Sequence, residues 1–328
     1  MKKILSSLYI LLLVCACKKE DKKIQFYHWK SNAKISVVEK EALKTTKAEK
    51  TFIHYFDVVV SEGINQPVSV IQDIDTFFNE IEVVPVVFIS NSVFKGNSYG
   101  INSLVDKVEN LVQQIHQKYF NKKAIEIQID CDWTKTTKEA YFQFLKLLKK
   151  KIQVSTTIRL HQIKYQKETG IPPVDFGALM LYNVGDLSDF NHNSILNSKI
   201  VSQYIKNHTN YPLELDLALP LFSQVVIKNK EHNIRLINRV IEKDFKNDTE
   251  HFKNIGNHQY LVLKKKLYRG QYLYKDFVLK LEKTSIEEIV KSSEIVKKSN
   301  LNIRNTILYH LDETEIKELN FKELITKL

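Results

Sequence analysis

The sequence predicts an α/β fold, a TIM-like (β/α)₈ barrel with an inserted β-hairpin or small β-subdomain between strands 7 and 8. Three observations predict it. Eight segments of strand character recur along the 328 residues, helical periodicity separates many of them, and one of the eight, residues 124–133, carries acid on one side only. A doubly wound open sheet is the competing arrangement, but no G-x-G-x-x-G or G-x-x-x-x-G-K loop is present to support nucleotide binding.

The strands are expected at Gln25–Trp29, Thr51–Val59, Val83–Ile89, Ala124–Asp132, Gln153–His161, Ala178–Asn183, Leu213–Leu219 and Thr306–Leu311. Helices are expected at Val37–Thr46, Ser103–Tyr119, Thr137–Lys150 and Asn233–Asp244, with Asn102 or Ser103 capping the second and Thr136 or Thr137 the third. Residues 24–328 read as one barrel domain. Its one misfit is the stretch from about 245 to 285, where the strand-like runs Gln259–Leu263 and Gln271–Leu281 flank Gly270. An insertion there would line one side of the barrel mouth.

The segment AIEIQIDCDW is the most informative. Glu126, Gln128, Asp130 and Asp132 fall on one face, and Ile125, Ile127, Ile129, Cys131 and Trp133 on the other. Unpaired buried carboxylates are costly, so the acidic face must meet water, a partner charge or a ligand. Asp130 and Asp132 stand roughly 6.5–7 Å apart at Cα, within reach of one small polar ligand.

Hydrophobic content of 43% and charged content of 27% are those of a globular protein. Lys2 and Lys3 followed by the apolar run Ile4 to Leu13 read as a secretion signal, too short to span a bilayer comfortably. The formal charge of +11 is carried largely by lysine in helix-like segments such as Phe144 to Lys151. No nucleic-acid-binding motif accompanies it, so no nucleic-acid partner is expected, and the charge reads as solvated faces that favour an anionic envelope or an acidic glycan. No H-x-H, H-E-x-x-H or C-x-x-C occurs, so neither a metal nor another cofactor is expected, although carboxylates can hold a hard cation. No G-x-S-x-G elbow supports a serine nucleophile. Oligomeric state has no signature in the chain.

In a (β/α)₈ barrel, chemistry sits at the C-terminal ends of the strands. The polar residues expected there are Trp29, Asp57, Asp130, Asp132, Arg159, His161, Tyr182, Glu214, Asp216, His310 and Asp312. An aromatic platform with carboxylates, one Arg and one Tyr suits a sugar, since rings stack on the apolar faces of pyranoses and carboxylates accept hydroxyl hydrogens or move protons. Each has a plain structural alternative: Trp29 in the core, Arg159 as the counter-charge of Asp130, His161 and His310 as satisfied histidines, Cys131 as a small buried hydrophobe.

Several segments carry a family resemblance. QIDCDW resembles the acidic fourth-strand motif of family 18 glycoside hydrolases, Met180-Leu181-Tyr182 their Met-x-Tyr, and Ala218-Leu219-Pro220-Leu221-Phe222 their Gly-Leu-Pro-Leu-Tyr. More closely, residues 25 to about 320 resemble a family of bacterial (β/α)-barrel lipoproteins with no assigned reaction. The resemblance rests on His28-Trp29, Tyr55-Phe56-Asp57-Val58, Val84-Pro85-Val86-Val87-Phe88-Ile89, the Gln-Ile-Asp-x-Asp strand and His310-Leu311-Asp312. It implies a carbohydrate ligand. For a hydrolase it implies Asp132 as acid, Asp130 as its partner, and Tyr182 holding the substrate acetamido group that acts as nucleophile. In one register Thr134 takes the acid position, and the barrel binds without cutting; in the other, Asp132 takes it. Leu13-Val14-Cys15-Ala16-Cys17 resembles the lipobox of bacterial lipoproteins. This implies a signal peptide at 1–16, a lipid anchor on Cys17 and a tether at 17–23. Lys19-Glu20-Asp21 resembles a tag that directs some lipoproteins to the cell surface. The implied place is the cell envelope, at the outer membrane.

Overall fold

The computed structural model describes residues 23–95 and 100–328. The expected leader at 1–16, Cys17 and nearly all of the tether lie outside them. Eight parallel strands form the barrel: β1 (Ile24–His28), β2 (Lys50–Ser61), β3 (Glu82–Ile89), β4 (Glu126–Asp130), β5 (Gln153–Arg159), β6 (Phe176–Met180), β7 (Leu215–Pro220) and β8 (Ile303–Tyr309). Each strand pairs with its successor, and β8 pairs back to β1 with Ile24 opposite Thr306, which closes the sheet and leaves no barrel edge. All eight expected strands are present, displaced by a few residues at their ends.

Helices cover the outside. In α1 (Val37–Thr45) the Ser36 hydroxyl accepts from the Glu39 amide at 3.2 Å, and the Glu39 carboxylate accepts from the Ser36 amide at 2.7 Å, a reciprocal cap. The next helix, α2 (Ile101–Phe120), starts one or two residues before its expected cap. Gly100, in the left-handed region, precedes it, and Asn102 and Ser103 lie inside its first turn. Then α3 (Lys138–Leu148) follows β4, with Thr137 at its cap position. No α-helix joins β2 to β3. An antiparallel strand at Ile64–Val68 folds back on β2, and a short 3₁₀ turn at Thr76–Glu80 completes the link.

The main core lies between the outer strand faces and the helices, with Phe26, Ile53, Ile127, Ile129 and Leu308 fully buried. A smaller cluster fills the barrel, including Tyr27, Phe52, Val84, Val86, Ala218 and Ile307. An eight-stranded barrel has only enough interior for side chains, so every inward polar group needs a partner within it.

The insertion is larger than expected and begins earlier, at Ser223 instead of about 245. Strands Ser223–Lys228, Ile234–Asn238, Phe252–Gly256, Gln259–Val262 and Val278–Lys283 form an antiparallel sheet, with a hairpin at Lys266–Tyr268 and Gln271–Leu273. Its own core includes Phe245, Phe252, Tyr260 and Leu279. The helix expected at Asn233–Asp244 is instead the strand Ile234–Asn238, followed by one short helix at Lys243–Lys246. Pairing decided this: Gln224 faces Asn238 and Lys228 faces Ile234, so the β-branched run Val225-Val226-Ile227 draws its neighbour into a ladder.

Candidate functional site

The inward face of β4 is a ladder of partnered polar groups running up to the mouth. Glu126 accepts from Lys50 Nζ at 2.8 Å, and Lys50 also reaches Glu82 at 2.9 Å. One step up, Gln128 accepts from the Tyr27 hydroxyl at 2.5 Å. Next, Asp130 accepts from the Thr157 hydroxyl at 2.6 Å. At the rim, both oxygens of Asp132 meet the Arg159 guanidinium: Nη2 donates to Oδ2 at 2.8 Å, and Nε donates to Oδ1. Burial pushes the Asp130 carboxyl up to about 6, with Asp132 adding to the rise and Thr157, Arg159 and His54 opposing it.

On the outward face, Cys131 is buried and Trp133 stacks on Tyr141 at 5.3 Å, its indole N–H donating to the Thr169 carbonyl at 3.2 Å. Burial and the neighbouring carboxylates raise the Cys131 thiol well above its ordinary range, consistent with an inert hydrophobe. Thr134 then leaves the strand. Its hydroxyl lies 3.0 Å from that of Thr136 and 3.2 Å from that of Thr137, in the approach to α3.

A cavity of about 770 Å³ opens between the barrel mouth and the inserted sheet. Trp29, Phe222, Tyr309 and His310 line its barrel side, and Asn238, Arg239, Arg269 and Gln271 its insert side. The aromatics form one continuous group. Tyr309 stacks on Tyr182 at 4.6 Å, touches Phe222 edge-on at 5.8 Å, and lies 5.7 Å from Trp29. Trp29 in turn lies 4.8 Å from the His54 ring, whose Nε2 is 2.7 Å from Asp57 Oδ1. Burial lowers His310 to about 4, with Lys30 and Arg239 acting the same way and Asp312 opposing, so its ring is neutral at pH 7.

The structure therefore brings Trp29, Asp57, Asp130, Asp132, Arg159, Tyr182 and His310 to one end of the barrel. It does not bring Asp216 or Glu214 there. Asp216 is the second residue of β7 and sits towards the opposite end, 3.2 Å from Arg304 Nη2 and 3.0 Å from Asn305 Nδ2; Glu214 precedes the strand and accepts from Asn302 at 3.0 Å. The strand carrying them starts later than expected, at Leu215, so both belong to its N-terminal end. His161 is also displaced. The strand ends at Arg159, and the chain turns into a short helix at Leu160–Lys164, which carries His161 to a side cavity of about 120 Å³ that adjoins the main cleft through Arg159 and Asn183 and is also lined by Tyr182 and Tyr204. Sequence reasoning missed His54 and Tyr309, which strand alternation would have placed inward, and Arg239 and Arg269, which sit at turns and carry no periodic signal.

No family model and no curated protein matches the chain. Solved structures do. The chitinase of Chromobacterium violaceum is 8% identical with a TM-score of 0.52, covering 94% of this chain and 98% of that one. The spore cortex-lytic enzyme SleL of Bacillus cereus is 13% identical with a TM-score of 0.51, covering 93% of this chain and 74% of that one. A family 18 chitinase mutant of Cycas revoluta, solved with (GlcNAc)4, is 10% identical with a TM-score of 0.51, covering 93% and 99%. At these identities the likeness shows the (β/α)₈ barrel fold alone.

Proposed function

We propose that this chain is a cell-envelope lipoprotein that holds a glycan in the cleft between the barrel mouth and the inserted sheet, without cutting it. The observation that carries the reading is the aromatic side of the cleft, Trp29, Phe222 and Tyr309, facing amides and guanidinium groups. Rings of this kind stack on the apolar faces of sugars. The absence of cutting follows from the carboxylates. Both oxygens of Asp132 are engaged by Arg159, and the residue two positions on, Thr134, has no proton to give at neutral pH. The chitinases and the cortex-lytic enzyme of the same fold supply the carbohydrate connection.

Trp29→Ala should weaken binding to a responsive polysaccharide by about tenfold, the loss of one stacked ring, and leave thermal stability nearly unchanged. Affinity electrophoresis and calorimetry against a polysaccharide panel read this directly. A wild-type chain that binds nothing on the panel overturns the proposal.

One observation favours a second reading. Asp130, held near 6 by burial, has the protonation behaviour of a general acid. Hydrolysis would then release reducing ends with an activity that falls above pH 6 and vanishes in Asp130→Asn. Detecting such products from the wild type would displace the non-cutting proposal.

The anchor is proposed from the leader alone. Cys17→Ser should move the protein from the membrane fraction to the soluble fraction and abolish labelling by a lipid precursor. A Cys17→Ser chain that is still lipid-labelled ends the assignment.

A further inference from the structure

We infer that the cleft takes an anionic glycan, one bearing carboxylate or sulfate groups, with Arg269 and Arg239 of the inserted sheet as its charge contacts. This rests on the glycan-binding reading above and names the class of glycan. Among the described residues, three arginines and no Asp or Glu line the cavity. The three differ in how far their charge is met. Arg159 is matched by Asp132. Arg239 Nε lies 3.2 Å from Asp312 Oδ2, an oxygen it shares with Lys30 Nζ at 3.0 Å, and Lys30 is also met by Glu39 at 2.8 Å, so Arg239 is paired but only through a shared carboxylate. Arg269 is exposed, lies 5.7 Å over the Tyr268 ring, and donates through Nε to the Tyr268 hydroxyl at 3.3 Å. Among the described residues it has no carboxylate partner within ion-pair distance.

Its position is held by the fold. Arg269 and Gly270 form the tip of the hairpin, both in the left-handed region. The adjoining Gln271 donates to the Leu236 carbonyl at 3.0 Å, which ties the hairpin to the cleft-lining strand Ile234–Asn238. Arginine offers only donors, in a planar fork that matches carboxylate and sulfate oxygens. A cleft for a neutral sugar would present carboxylate acceptors for hydroxyl hydrogens as well, and among the described residues lining this one there are none. A ring stacked on Trp29 and Tyr309 would turn its acidic substituent towards the two insert arginines.

The test compares matched polymers: polygalacturonate against its fully methyl-esterified form for carboxylate, and dextran sulfate against dextran for sulfate. Binding is measured with the purified chain at low and at physiological salt. The anionic member of at least one pair should bind about tenfold tighter than its neutral partner, with affinity falling as salt rises. Arg269→Gln should remove most of that preference, and Arg239→Gln part of it. Lys253→Gln makes the same charge change on Phe252–Gly256, at the far edge of the same sheet, and should leave it intact. Arg269 is at an exposed turn, so its variant folds even if Arg239→Gln does not. Equal binding of neutral and anionic partners, or equal losses in Lys253→Gln and Arg269→Gln, would overturn the inference and leave glycan binding standing. A wild type that binds neither these polymers nor any on the wider panel would overturn both.

Discussion

Glu282→Ala should lower the stability of the fold by about 3–5 kcal/mol, a loss typical of breaking a buried ion pair from one side. The Glu282 side chain is 1% exposed and that of Lys280 4%. The carboxylate accepts from Lys280 Nζ at 2.7 Å, the Ser194 amide at 2.7 Å, the Ser194 hydroxyl at 2.6 Å and Gln224 Nε2 at 2.7 Å. Lys280 also donates to the carbonyls of Asp189 and His192 at 2.7 and 3.0 Å. Ser194, Asp189 and His192 belong to the long segment after β6, whereas Gln224, Lys280 and Glu282 belong to the insert. One carboxylate thus ties the inserted sheet to the barrel, and its removal leaves an ammonium without its counter-charge and three donors without this acceptor. Glu282→Gln keeps the shape but loses the ion pair and should fall between alanine and wild type. Urea melts of the three proteins check this. Because Ser194 and Gln224 also line the cleft, glycan affinity should fall with stability in this series. A loss under about 1 kcal/mol for alanine would mean that the residue is solvated and the insert is held by other contacts.

This network explains a limit of the sequence. The barrel strands were legible because each must present an apolar outer face to the helices, and period-two alternation survives shifts of a residue or two at the ends. The acidic face of β4 was legible for the same reason: Ile127 and Ile129 had to go outward, so Glu126, Gln128 and Asp130 had to go in. Which end of a strand a residue occupies is a different matter. Asp216 and Glu214 carry the same alternation as a mouth residue would, and only the start of β7 at Leu215 sends them to the other end. His161 was lost where the chain left its strand after Arg159. Glu282 meets Ser194, and Lys280 meets Asp189 and His192, across roughly ninety residues of sequence, and Arg269 reaches the cleft through a hairpin tip; no local pattern records these encounters. Even the run Ile234 to Ile241, which spaces its apolar residues as a helix does, was overridden by a partner strand.

Asp130→Asn should raise stability at pH 7.5 by about 1–3 kcal/mol, and the gain should shrink as pH falls below 6 and vanish near pH 4. The folded chain holds the Asp130 carboxyl at about 6, above the ordinary range of an aspartate, chiefly because burial disfavours its charge. A rise of this size corresponds to at most ~3 kcal/mol. The sign follows from proton binding. Between pH 4 and 6 the folded state holds the proton and the unfolded state does not, so stability falls as pH rises through that window. Above pH 6 the charged form is present in both states, and its burial is a full cost to the native one. Asparagine removes that charge and still accepts from the Thr157 hydroxyl through Oδ1. Urea unfolding of both proteins from pH 4 to 8 reads the difference directly. Equal stability at every pH would mean that the carboxylate is fully solvated. A less stable variant would mean that its negative charge holds Arg159 or His54 in place. The expected outcome instead marks a carboxylate kept against the stability of the barrel, and such a group one step below the Asp132–Arg159 rim is more simply explained by a ligand than by the fold.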